Sequence, residues 1–280
     1  MQKHLSSLIT KDPDIRRQAL AGILEAEKLP YSVQSAEPSH KAPRGVVNYL
    51  LNADIAAASL LFCAHYDAVP GSFGANDNAA AVCILLQLAS ELAERNIPAR
   101  FAFFDGEESG NTGSKLYVSE TSRDKLTGVI NLDLCGYGDT IAVYGSGNER
   151  KAALAPFCEK GFLKQHNGQL VKYLPPGDNS SFSRIGIPAL SIAVVPAWDI
   201  RFLKALASYG GNLFGHTTPE FDMIIQQMEV TSTIHGGPRD TPEWIDEKAM
   251  QQVHDYLLEG ISKPRKAGFS LFQRGKKSPD

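Results

Sequence analysis

Four short runs of this chain, SLLFCA at Ser59–Ala64, RFAFF at Arg100–Phe104, VINL at Val129–Leu132 and PALSIAVV at Pro188–Val195, are apolar almost throughout. A strand with one wet face alternates, whereas a continuously apolar strand belongs in a sheet covered on both sides. Segments with helical periodicity lie between these runs, so the sheet should be largely parallel. The expected fold is an α/β class, three-layer α/β/α sandwich around a mixed sheet. Helices are expected at Asp14–Lys28, at Asn78–Arg95 (rich in Ala and Leu, without Gly or Pro), at about Glu149–Gln165, and at Asp246–Ile261 with Asp246 as N-cap. Gly45–Leu51 and TIAVYGS add further strands.

With 280 residues, 43% of them hydrophobic, the chain can bury a full α/β core. It has neither an internal repeat nor a Ser/Gly linker. A single domain is therefore expected over residues 1–262, with an insertion at about 196–233 rich in turn residues and aromatics. Residues 263–280, with six Lys/Arg against one Asp, read as a solvated basic tail. A formal net charge of −3 offers no basic field for nucleic acid. No apolar run approaches the roughly 18–20 residues of a membrane span, and the N-terminus lacks a signal-peptide core, so no membrane association is expected. Cys63, Cys83, Cys135 and Cys158 lie far apart without a CxxC pair. They read as buried free thiols, which suits a reducing cytoplasm.

Ligands of open α/β sheets sit at the carboxyl ends of the strands. Five acidic or imidazole positions gather there: His65-Tyr66-Asp67, Asp105 with Glu107-Glu108 beyond it, Asp133, Asp178 after a Pro-Pro-Gly loop, and His235 in STIHGGPRDT. Asp77 stands at the mouth of the Ala-rich helix, where a helix cap would also explain it. Asp133 lies between two leucines, where a carboxylate needs a cation or several donors to offset its desolvation. So many acids at one edge would repel one another without a metal. Imidazole and carboxylate without thiolate suit Zn, and also Mn, Co or Fe. Two His and several carboxylates suggest two ions.

The markers His65-x-Asp67, Gly74-Ala75-Asn76-Asp77-Asn78, Glu107-Glu108, Asn131-Leu132-Asp133, Asp178 before Ser181-Phe182, Gly186-Ile187-Pro188-Ala189 and His235…Asp240-Thr241 come in the order of a known family. From about Val46 to Ile261 the sequence resembles the di-zinc aminopeptidases that include secreted bacterial leucyl aminopeptidases, plasma glutamate carboxypeptidase and the non-catalytic transferrin receptor. The resemblance implies that Asp77 bridges two divalent metals, most fittingly Zn. His65 and Asp133 would complete one site, Glu108 and His235 the other. It also implies that Asp67 orients His65, that Glu107 is the general base toward a metal-bridging hydroxide, and that the Asp77–Asn78 peptide is cis. Hydrolysis of N-terminal residues from a peptide substrate follows as the expected activity. A glutaminyl cyclase-like amide chemistry or a non-catalytic binding role are the alternatives. One departure stands out: Gly236-Gly237-Pro238-Arg239 follow His235, whereas His216-Thr217-Thr218-Pro219 imitates the usual His-Thr-Pro signature. His235 is preferred because Asp240-Thr241 leads straight into the last helix. Substrate preference, oligomeric state and the roles of His216, the insertion and the tail stay open at this level.

Overall fold

The structure, a computed structural model, describes residues 2–206, 208–209 and 218–263. His216, Phe214 and all but the first residue of the basic tail lie outside the described residues. The strands are β1 Tyr31–Ala36, β2 Val46–Leu51, β3 Ser59–His65, β4 Arg100–Phe104, β5 Leu126–Leu132, β6 Thr140–Tyr144, β7 Gly168–Leu170 and β8 Ala189–Val195. The helices are α1 Gln2–Leu8, α2 Pro13–Ala26, α3 Ala80–Glu94, α4 Thr112–Glu120, α5 Ala155–Cys158, α6 Lys160–Gln165, α7 Asn179–Arg184, α8 Ile200–Leu206, α9 Pro219–Gln226 and α10 Glu247–Ser262.

All eight strands join one sheet in the order β1-β2-β4-β3-β5-β8-β6-β7. The pairs β3–β4, β3–β5, β5–β8 and β6–β7 are parallel; β1–β2, β2–β4 and β6–β8 are antiparallel. The mixed, largely parallel α/β/α sandwich expected from the apolar runs is the observed architecture. The reason is visible residue by residue. In β3, Leu60, Phe62 and Ala64 enter the core beneath α3 and α10, while Leu61 and Cys63 enter the core under α4 and α7. In β4, Phe101 and Phe103 take the first side and Ala102 and Phe104 the second. Both faces are covered, so neither can be polar.

Local chemistry sets the helix ends. The Asp12 side chain accepts from the N–H groups of Asp14 and Ile15, and Pro13 occupies the first turn of α2. Asp246 caps α10 as expected, accepting from Lys248 N at 2.8 Å. The single helix expected at Glu149–Gln165 is instead two short ones, because Glu159 sits extended at φ −65°, ψ 128°. The break has a packing cause. Phe157 and Phe162 both meet Tyr256 of α10, at ring-centroid distances of 5.9 and 5.2 Å. Residues five apart on one helix point about 140° away from each other, so an unbroken helix could not deliver both.

The chain visits β4 on one side of β3 through α3, then returns past β3 to β5 through α4. The crevice between the carboxyl ends of β3 and β5 is thus a topological switch point, where α/β sheets bind ligands.

Candidate metal centre

His65 ends β3 at that crevice and is buried. Its Nδ1 lies 3.1 Å from the Asp67 main-chain carbonyl and 3.4 Å from the Asp67 carboxylate. Its Nε2 faces Asp77 at 3.3 Å and Asp133, just past β5, at 3.6 Å. Asp77 is carried by the turn Ala75–Ala79 immediately before α3, where Asp77 (φ −114°, ψ 77°) and Asn78 (φ −145°, ψ 30°) depart from helical backbone angles. Gly74 enters that turn at φ 60°, and a Cβ there would lie 2.3 Å from an Arg16 nitrogen and 2.8 Å from the Asp77 carbonyl oxygen. Only glycine fits. The Asp77–Asn78 peptide is cis.

The second carboxylate oxygen of Asp77 accepts from His235 N at 3.1 Å. His235 Nε2 stands 4.0 Å from that oxygen and 3.6 Å from Glu108 Oε2. Two triads result, His65–Asp77–Asp133 and Asp77–Glu108–His235, each with ligand-type atoms within 4.8 Å of one another. Asp77 belongs to both. Glu107 belongs to neither: its Oε1 accepts from Asn111 Nδ2 at 3.1 Å, and Gly177 passes close to it.

The Asp67 carboxylate does more than face His65. It accepts from the main-chain N–H groups of Glu107 and Glu108 at 3.0 and 3.2 Å, pinning the turn after β4 that carries both. Asp240 holds the opposite side. One of its oxygens accepts from Asn76 N at 2.9 Å and Asp77 N at 3.3 Å, the other from Ser72 Oγ and Gly236 N. This buried carboxylate therefore ties the Asp77 turn to the His235 loop. The sequence places Asp240 in a matching segment, but nothing in its spacing reveals four donors from two distant loops. Arg16 was equally illegible. Buried in α2, it donates to the carbonyls of Thr10, Tyr66 and Phe73 and so props the loop between His65 and Asp77.

Burial and mutual repulsion govern the acids of the site. Burial pushes Glu107 up to about 8, with Asp133, Asp178 and Asp67 adding repulsion against an opposing His65. Burial likewise takes Glu108 to about 8, and Asp77 adds to it. Asp178, fully buried, rises to about 6 chiefly by desolvation. Burial also raises Asp133. Burial disfavours a charged His65, yet the facing carboxylates of Asp133, Asp67 and Asp77 outweigh this and hold its pKa well above the ordinary value. Burial would raise Asp77 too, but bonding to His65 and His235 leaves it lowered. Glu108 Oε1 and Asp133 Oδ1 are buried with no hydrogen-bond partner. Buried acceptors left this way are costly unless a cation answers them. The donor set, two imidazoles and three carboxylates, fits divalent cations of the borderline type.

A sequence profile described as Peptidase family M28 matches residues 46–261. This chain belongs to that family. The family resemblance carried by the His65, Asp77, Glu107-Glu108, Asp133 and His235 motifs is thereby borne out. Among curated relatives, Aminopeptidase YwaD of Bacillus subtilis is 27% identical over 204 residues, covering 71% of this chain and 39% of the relative. A Vacuolar membrane protease of Yarrowia lipolytica is 31% identical over 167 residues, covering 56% of this chain and 16% of the relative. The match thus spans well under half the length of these relatives. In fold, the Legionella pneumophila LapA aminopeptidase superposes with a TM-score of 0.65 at 13% identity, covering 93% of this chain and 69% of that one. The Porphyromonas gingivalis glutaminyl cyclase gives 0.65 at 18% identity, covering 93% and 94%.

The expectation of a cytoplasmic location is corrected by these relatives. Several are named Vacuolar membrane protease and one Putative endoplasmic reticulum metallopeptidase 1. The thiol argument fails for a physical reason. Cys63, Cys83 and Cys135 are buried in the core, and burial pushes Cys83 up to about 12. Thiols so packed stay unpaired in any compartment and do not report on one. Among the described residues, no helix is long and apolar enough to cross a membrane.

Proposed function

We propose that this chain is a metal-dependent aminopeptidase that removes N-terminal residues from peptides, with two divalent ions, most fittingly Zn, and Glu107 as general base. The observation that carries the reading is a single carboxylate, Asp77, shared by two three-residue clusters, beside a glutamate that belongs to neither. His65, Asp77 and Asp133 would hold one ion, and Asp77, Glu108 and His235 the other. Ions bound there would lower the pKa of a water from 15.7 towards roughly 7 and polarise the scissile carbonyl. Glu107 takes the proton of the attacking water on its carboxylate and hands it to the leaving amine. Asp67 keeps Glu107 and Glu108 in register through their N–H groups, and Asp240 keeps Asp77 opposite His235. The relative named Aminopeptidase YwaD supports the choice of N-terminal cleavage. The reading takes residues 1–262 as one catalytic domain, with the segment at 196–233 as an insertion and 263–280 as a basic tail.

Metal analysis paired with a substrate panel tests it. Two ions per chain are expected, with hydrolysis of aminoacyl amides and free-amine peptides but not of N-blocked ones. Cleavage of the blocked set, or ammonia release from N-terminal glutaminyl peptides without peptide cleavage, would refute the aminopeptidase assignment. His235→Ala should retain about one ion per chain, whereas His216→Ala should retain two. The reverse pattern would transfer the ligand role to His216.

A further inference from the structure

Beside Glu108 lies a cavity of about 440 Å³, within the size range of small-ligand sites. Its walls come from the start of α2, the loop before β2, the loop after β3 and the turn after β4. Four cations line it, Lys11, Arg16, Arg17 and Arg44, against three acids, Asp67, Asp105 and Glu108.

The acids are already committed. Asp105 accepts from Arg17 at 2.6 Å and from Val47 N at 3.1 Å, which neutralises Arg17. Asp67 serves the two glutamate N–H groups, and Glu108 faces His235. Of the remaining cations, Arg16 and Lys11 have no carboxylate partner among the described residues. The Arg16 guanidinium meets only neutral carbonyls, and its Nε has no partner although the residue is 3% exposed. The Lys11 ammonium lies 4.6 Å over the Phe73 ring, and among the described residues no carboxylate pairs with Lys11 or Arg16. Arg44 pairs with Asp14, an exposed contact of little energetic weight that a buried ligand could replace. The acids nearest Arg16, namely Asp67, Asp240, Asp77 and Glu108, act on it only at a distance, and Asp77 and Glu108 would have their charge answered by cations held at the triads. A cavity left with surplus positive charge beside a reaction centre recruits an anion.

We propose that this cavity binds a carboxylate of the substrate, so that the enzyme prefers short or acidic peptides. The proposal rests on the aminopeptidase reading for the identity of the ligand. Because Glu108 is shared by the cavity wall and the second triad, the bound carboxylate belongs within about two residues of the scissile bond, roughly 7 Å of extended chain.

The test uses the zinc-loaded full chain and Ala-based tetrapeptides carrying Glu or Gln at each position in turn, each with a free or an amidated C-terminus. The Glu series identifies a side-chain source and the amidated series a C-terminal one. One carboxylate position is expected to raise kcat/KM about tenfold or more over its neutral counterpart, and Lys11→Ala with Arg44→Ala should bring that ratio close to one. In parallel, glutarate binding is followed by calorimetry, with affinity expected to fall at least about fivefold in the double variant. Equal cleavage of charged and neutral peptides, or glutarate binding identical in both proteins, overturns the cavity assignment while leaving the aminopeptidase reading intact. Variant-sensitive glutarate binding without cleavage of any peptide would uphold the cavity and overturn the aminopeptidase reading instead.

Discussion

Glu107→Gln is expected to leave two divalent ions bound per chain while lowering kcat by about 10²–10⁴-fold. The separation of effects follows from neighbouring side chains that point different ways. Glu108 turns towards His235 and offers an oxygen with no partner, whereas Glu107 turns towards Asn111 and the Gly177 loop and stays outside both triads. Burial has already brought Glu107 up to about 8 in the protein alone. Cations held at the triads would pull it down from there, to a group ionised near neutral pH and still basic enough to accept a proton. Glutamine keeps the shape and the bond to Asn111 but cannot accept that proton. Glu108→Gln, by contrast, should release an ion from the second triad. Metal content and single-turnover rates measured on both variants decide the matter. Loss of metal from Glu107→Gln would end the distinction between base and ligand.

The central strands were legible because continuous apolar runs have few alternatives, and the carboxyl-end residues His65, Asp133 and Glu107-Glu108 stood out against them. The edge strand β1, YSVQSA, was not expected, since all six of its positions are partly or fully exposed and leave no apolar run. The helices α8 and α9 were hidden in a turn-rich stretch whose apolar residues, such as Ile200, Leu203 and Phe221, form a separate small core with Val171 and Leu174. Site geometry divided in the same way. Residue types that can ligate were visible, but the arrangement that makes them a site depends on Asp240, Arg16 and Gly74. Gly74 is visible in its motif, but Asp240 and Arg16 act on groups far away in sequence, and no local pattern encodes such contacts. The Asp67 carboxylate illustrates the limit: its spacing from His65 suggested an imidazole partner, while the structure also gives it the N–H groups of the glutamate turn.

Removing the metals should destabilise the protein, and more so as pH rises. Without cations, Glu107 and Glu108 have folded-state pKa values near 8 against 4.5 for the ordinary carboxylate. For groups raised on folding, the stabilising contribution is complete below the unfolded value and is lost as pH climbs through the folded one. Asp133, also raised by burial, and His65, held high by its three aspartates, act with the same sign. Asp77 is lowered and works the other way, but its contribution is already complete above its ordinary 3.8, so it stays constant across pH 5.5–8.5. The chelated protein therefore loses on the order of a few kcal/mol over that interval, while the loaded protein, whose ligands bind metal better when deprotonated, does not. Calorimetry of chelated and zinc-reconstituted protein should show the gap in Tm widening by roughly 5–10 °C from pH 5.5 to 8.5. A gap that stays constant or narrows would mean that the buried acids are neutralised by something other than metal, and the two-triad site would lose its electrostatic basis.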